Sequence, residues 1–319
     1  MLRFIVRRLV GMTLVLFVVS VLVFVVFNVI PNSPPAQRLA GKNAQPYLVK
    51  NIEKEWGFDK SLPEQYVTMM KKVVTNELIS YSPRFSVRQR IIEGIPATLS
   101  LSIGAGLVWL FFGLLLGYLS AVRAGGKLDK FLTGLAVAGI SIPVFLIAPV
   151  FIYFLTYKVE IFPNAGYVAL TEDPWEWFQH LILPWFTLAI LSIGFYSRVL
   201  RSNMLDAMNE DYVRTARAKG LSEGRVMTRH VLRNSLIPII TLFGLDFGAT
   251  VGGTAIITEY IYNIEGVGLY AVESIGKLEL PPIMGVTLYG AFFVVFINAL
   301  VDIAYAYLDP RVRLGTSAQ

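Results

Sequence analysis

Six runs of mainly apolar residues, each long enough to cross a bilayer, constrain this chain more than any other feature. They lie at about 9–30, 97–122, 131–157, 181–200, 236–258 and 284–307. Lipid offers no partner for backbone N–H and C=O groups, so a span must satisfy them internally, and about 20 apolar residues of helix cross the hydrocarbon core. The pattern predicts an all-α membrane protein with six transmembrane helices. Composition points the same way, since 55% of the 319 residues are hydrophobic and only 16% are charged, far from the balance of a soluble domain. The first run exceeds the apolar stretch of a signal peptide, about 7–15 residues, and no A-x-A cleavage pattern follows it. It is expected to remain as a span.

Orientation follows from Lys and Arg in the short connections, because cytoplasmic flanks retain positive charge. One alternate set of connections holds Arg3, Arg7 and Arg8, then Arg123, Lys127 and Lys130, then the group from Arg198 to Arg233, then Arg311 and Arg313. The short connections of the other set hold only Lys158 and Lys277. Both termini and the segment 202–235 are therefore predicted to be cytoplasmic. Residues 31–96 carry mixed charge and are long enough to cross regardless of it, which predicts an extracytoplasmic segment between the first and second spans. Apolar positions there recur at helical spacing and are interrupted by Gly57 and Pro63, so short helices are expected. The chain thus divides into 1–30, 31–96, a permeation core at 97–307 and a tail at 308–319. Trp175, Trp177 and Trp185, in and beside a second external connection, are expected to anchor a span at the interface. The net charge of +6 sits beside apolar spans rather than on a soluble basic face, so it serves topology and not nucleic-acid binding.

Two carboxylates lie inside apolar runs, where a charge at the bilayer centre costs about 2.5–3.5 kcal/mol on insertion scales. Asp246 sits in "GLDFGATVGG", amid Gly244, Gly248 and Gly252, a small-residue row suited to close helix packing. At about 100° per residue it points nearly opposite that row, toward a polar partner or a solute pathway. Asp302 follows Asn298 by one turn, which suggests structural hydrogen bonding. Gly113 and Gly117 repeat the packing spacing in the second run, and Pro143 and Pro149 interrupt the third.

Enzyme chemistry finds no support. The chain has no cysteine, its two histidines, His180 and His230, are not at metal-ligand spacing, and "GVG" at 266–268 is too short for a dinucleotide fingerprint. No catalytic residue, metal site or cofactor is expected. With no P-loop, any energy for active transport must come from another chain.

The predicted cytoplasmic segment "RTARAKGLSEGRVMTRHVLRNSLIP" is densely basic and helix-favouring. Gly220 divides it into two helical halves, and Ser222 is expected to cap the second. Arg225, Arg229 and Arg233 form a cationic stripe beside apolar Met227 and Val231, a hairpin that suits either a lipid headgroup surface or a rigid lever joined to the next span.

These residues, with "RRLVGM", "GFDKSLPEQY", "TEYIYNIEGVGLY" and "NALVDIAYAYLDPRVR", resemble ABC-importer permeases of the oligopeptide/dipeptide/nickel family along nearly the whole chain. The family's coupling loop reads E-A-A, three residues, G and a distal L-P. Here Arg214, Thr215 and Ala216 stand at the E-A-A positions, Gly220 falls in register, and Ile237 and Pro238 supply the distal pair. Asn32 and Ser33 replace a usual Gly-Asp, and Asp246 stands where the pattern has a neutral polar residue. The resemblance implies the type I importer permease fold in a prokaryotic inner membrane, with separate cytoplasmic ATPases gripping Arg214, Thr215, Ala216, Arg217, Ala218, Lys219, Gly220 and Leu221. It also implies a homologous second permease subunit and an extracytoplasmic solute-binding protein. Two other readings stay open from the residues themselves: a proton-coupled secondary transporter using Asp246 and Asp302, and a membrane scaffold.

Overall fold

The computed structural model describes residues 2–30, 34–40, 44–80, 85–163 and 165–308. Among the described residues, five helices are long and apolar enough to cross a membrane: Val6–Val29, Val87–Val122, Pro174–Met208, Glu223–Thr254 and Leu280–Val301. The third run differs from expectation. It forms two helices, α6 (Lys127–Ser141) and α7 (Val144–Phe151, continued in wider turns to Lys158), bent by 99°. Pro143 is the cause: its ring disfavours the α region for the residue before it, and Ile142 takes φ −93° and ψ 121°. A bend of this size makes the pair either a broken span or a re-entrant loop, and with it as one span the count reaches the expected six. Asp302 lies in the last helix with its side chain outside the described residues, as do Asn32, Ser33, the C-terminal Asp309, Pro310 and Arg311, and the tail.

The chain divides into two compact units, Met1–Leu99 with Gly248–Ala299, and Ser100–Phe247 with Leu300–Gln319. In the first, α1 (Leu2–Phe24) runs on to Val29, and the predicted short helices are α2 (Pro35–Ala40), α3 (Pro46–Trp56) and α4 (Leu62–Val74). Gly57 ends α3 at φ 66°, a left-handed stop that glycine adopts without a Cβ penalty. Ile52, Trp56 and Met69 from α3 and α4 pack with Val23 and Phe24 of α1, Val87 of α5 (Val87–Val122) and Met284 of α14 (Leu280–Leu308). Polar contacts fix the same seam. Tyr66 shares a 2.6 Å hydrogen bond with Ser20 and sets its ring edge against Phe17 and Phe24. Buried Lys72 donates to Glu55 at 2.8 Å and lies over the Trp56 ring. Residues 46–74 therefore form a docked cap and not a slack connection.

In the second unit, α8 (Pro174–Met208) begins with Asp173 accepting from the N–H groups of Trp175 and Glu176, and with Pro174 at a position that needs no donor. Its helix-helix contacts depend on missing side chains. A Cβ at Gly113 would lie 2.8 Å from that of Tyr196, and one at Gly117 would lie 2.7 Å from the Ser197 carbonyl oxygen. Trp185 corrects the anchoring expectation: it is 6% exposed, fills the notch left by Gly104, and donates its indole N–H to the Ser100 carbonyl at 3.0 Å. Trp175 is 64% exposed and stacks on Phe178.

Candidate functional site

The basic segment folds as a helical hairpin. Its first arm, α9 (Asp211–Ala218), stops in a two-bond motif: Gly220 N–H donates to the Arg217 carbonyl at 2.9 Å and Leu221 N–H to the Ala216 carbonyl at 3.4 Å. Gly220 takes φ 76°, which explains why glycine occupies the tip. The second arm starts at α10 (Glu223–Arg225) and runs on through wider turns at Val226–Leu232 and α11 (Arg233–Ala249) as far as Gly252, after which Gly253 leaves helical geometry. Ser222 sits at the predicted cap position but its side chain makes no capping bond, and the Ser222 carbonyl accepts instead from Arg225 and Val226.

One side of the hairpin is apolar and buried, with Val213, Ala216, Val226, Met227 and Val231 all within 5% exposure. The other side presents Arg214, Thr215, Arg217, Ala218, Lys219 and Gly220 to the outside, with Leu221 half-buried. Across the turn, Arg217 holds Glu223 through two bonds, 3.1 Å from Nε and 2.7 Å from a terminal nitrogen. Beside that carboxylate the guanidinium is held above its ordinary range, although exposure screens the pair. The result is a fixed shape with a cationic outer surface, joined directly to a span.

Asp246 is half-buried in α11, where Tyr196 donates its hydroxyl to the carboxylate at 2.7 Å. Tyr196 is fully buried and lies against Trp109, whose indole N–H has no acceptor among the described residues. The glycine row faces elsewhere. A Cβ on Gly244 would strike Val301, one on Gly248 would meet Asn298 and Val294, and one on Gly252 would meet Val294 and the Gly290 carbonyl, all on α14. Helix packing and the carboxylate thus occupy different faces of α11, as the 100° spacing requires.

Two polar clusters carry no sequence-level expectation. Asp129, at the start of α6, accepts both forks of Arg201 at 2.7 and 2.8 Å, and also Ser120 at 2.5 Å and the Gly125 N–H at 2.7 Å. In the sequence Arg201 reads only as one charge of the basic Arg198–Arg233 group, and Asp129 carries no expectation. Glu259 in α12 (Ile256–Ile261) is fully buried and accepts from Thr98 at 2.8 Å and from the N–H groups of Gly268 and Leu269 at 2.7 and 3.1 Å. Those amides open α13 (Val267–Gly276), so the carboxyl closes a helix N-terminus. Burial pushes Glu259 up to about 7, against the pull of these three donors. Gly266 and Gly268 are required because a Cβ on either would occupy the carboxyl group's space. The "TEYIYNIEGVGLY" motif is in physical terms a buried acid and the glycines that admit it.

The chain matches the family described as binding-protein-dependent transport system inner membrane component over residues 113–314, and that family's N-terminal description over residues 1–102. It belongs to this permease family. A probable peptide ABC transporter permease protein of Sinorhizobium fredii is 35% identical over 97% of this chain and 99% of its own length. The dipeptide transport system permease DppB of Bacillus subtilis and the glutathione transport system permease GsiC of Escherichia coli are each 34% identical over 98% of this chain and 99% of theirs. Among solved structures, an inward-facing MetNI methionine ABC transporter chain shares the fold, with a TM-score of 0.53, 16% identity, and coverage of 69% of this chain and 95% of that one.

This permease is a multi-pass membrane subunit of an ABC importer, and ATP hydrolysis belongs to a separate chain. Family membership implies association with ATPase subunits, a solute-binding subunit and a second permease. It also displaces the secondary-transporter and scaffold readings.

Proposed function

We propose that the permease forms part of the pathway for short peptides, with the 211–232 hairpin as the surface gripped by a cytoplasmic ATPase. The hairpin carries this reading: its tip is fixed by a left-handed glycine and an Arg217–Glu223 bridge, and its second arm is continuous with a span. A closing ATPase pair pushing on Gly220 moves that span as a rigid body and switches access from one side to the other. Peptide as solute rests on the relatives that carry peptide, dipeptide and glutathione in their names. The positive flanks support cytoplasmic termini, and the capped 46–74 region then faces a delivering protein outside.

The test is the importer reconstituted in liposomes with its partners. Gly220→Pro, whose ring forbids positive φ, is expected to assemble normally while peptide uptake falls by about tenfold or more relative to ATP hydrolysis. Unchanged coupling in an intact complex overturns the hairpin's role. ATP-dependent uptake of solutes other than peptides, with none of peptide, overturns the solute.

A further inference from the structure

We propose that one water molecule resides beside Glu259, where it joins the carboxyl group to the Tyr289 hydroxyl next to the break that ends the Glu223–Thr254 span. The site rests on the geometry of one compact unit and is independent of the solute.

At the end of that span the residues Thr250–Thr254 widen into π-helical turns, and Gly253 leaves helical geometry at φ 163° and ψ −21°. A departure of this kind takes backbone groups out of the helical ladder, and inside a span they are satisfied by neighbouring side chains or by ordered water. Beside the break lies a cavity lined by Gly252 and Gly253, by Thr98, Glu259 and Gly268, and by Tyr289 of α14, all within the unit Met1–Leu99 with Gly248–Ala299. It gives water centres about 10 Å³ of room, enough for one molecule.

A cavity holds water where polar partners converge on it, and two converge here. Glu259 is fully buried, and its Oε1 accepts from Thr98 alone while Oε2 accepts from the Gly268 and Leu269 N–H groups. A carboxylate accepts at about four sites, so one on Oε1 stays open. The Tyr289 hydroxyl is buried and has no hydrogen-bond partner among the described residues, a state that forfeits its hydration without return. One water repairs both, accepting from Tyr289 and donating to Oε1. With the carboxyl protonated the direction reverses, and the water accepts from Glu259 and donates to Tyr289. A metal cation fits the place poorly: Oε2 is already taken by two amides, and a hard cation needs about six oxygens around it. The bridge ties α14 to Thr98, α12 and the first turn of α13.

Cryo-electron microscopy of the assembled importer, at a resolution that shows waters, is expected to place one peak within about 3.2 Å of both Glu259 and the Tyr289 hydroxyl. Tyr289→Phe, which keeps the ring, is expected to abolish the peak and to speed amide hydrogen exchange in residues 256–276 about fivefold. A wild-type map with no peak there overturns the proposal, as does a Tyr289 hydroxyl bonded directly to Glu259. Unchanged exchange in an intact Tyr289→Phe complex overturns the bridge. Exchange that slows when sodium replaces choline assigns the place to a cation and overturns the water. The wild-type map decides the matter even where the variant fails to assemble.

Discussion

Thr98 and Glu259 stand 161 residues apart in the chain and share a buried hydrogen bond of 2.8 Å. Thr98 also accepts from the Val267 N–H at 2.9 Å, while Glu259 takes the next two amides of α13. The fourth turn of α5, the short α12 and the first turn of α13 are thereby tied into one block by a single carboxyl group.

That carboxyl makes stability depend on pH with a definite sign. Its folded value of about 7 lies above the ordinary 4.5, so the folded state keeps a proton that the unfolded chain releases between those values. The stabilisation is complete below pH 4.5 and is lost as pH rises through 7. Glu259→Gln, which still accepts from both amides, is expected to flatten the fall in melting temperature between about pH 5 and about pH 8. Glu259→Ala strands three donors and is expected to cost about 3 kcal/mol or more. Thermal unfolding in detergent reads both, and an unaltered pH slope in Glu259→Gln refutes the assignment.

Arg201→Met leaves Asp129, 5% exposed at its side chain, without its bidentate partner. Removing one member of a buried pair costs about 3–5 kcal/mol. Asp129→Asn combined with Arg201→Met is expected to recover part of that loss, and a double-mutant cycle on unfolding midpoints measures the coupling. Simple additivity of the two single effects contradicts the pairing.

Glycines in helices separate by what stands opposite them. Gly244→Ala drives a methyl group into Val301 and is expected to cost about 1–3 kcal/mol through overpacking. Gly134→Ala in α6 meets nothing within 4 Å and is expected to gain up to about 1 kcal/mol from helix propensity. Opposite signs in melting temperature are the expected result, and equal destabilisation contradicts the packing assigned to α11 and α14.

The chain contains no cysteine, so Lys219→Cys introduces the sole thiol at the hairpin tip. With Lys219 exposed, an impermeant maleimide is expected to label it in inside-out vesicles and to spare it in right-side-out ones. Adding the ATPase subunit is expected to protect it. Labelling from the outside reverses the orientation and removes the hairpin's proposed role.

Much of the architecture is legible in the linear sequence because its cause is local. Helices of about 20 apolar residues follow from the absence of backbone partners in lipid, and that requirement is met or missed within one contiguous run. The hairpin is legible for a similar reason: Gly220, the flanking helix formers and the apolar positions that become Val226, Met227 and Val231 of its buried side all lie within a few turns. The spacing of Gly244, Gly248 and Gly252 likewise separates their face from that of Asp246 before any neighbour is known.

Long-range pairing decided the rest. Pro143 marks and causes a break in the third run, but that α6 and α7 then both pack on α8 at 99° to one another is not legible locally. Trp185 reads as an interface anchor until Gly104 is found opposite it, and Arg201 reads as one more basic flank charge until it meets Asp129 across 72 positions of sequence. Hydrophobicity and backbone preference act within a few residues and survive in the amino-acid order. A buried polar group needs a partner at about 3 Å, and which residue supplies it is fixed only when distant helices have packed.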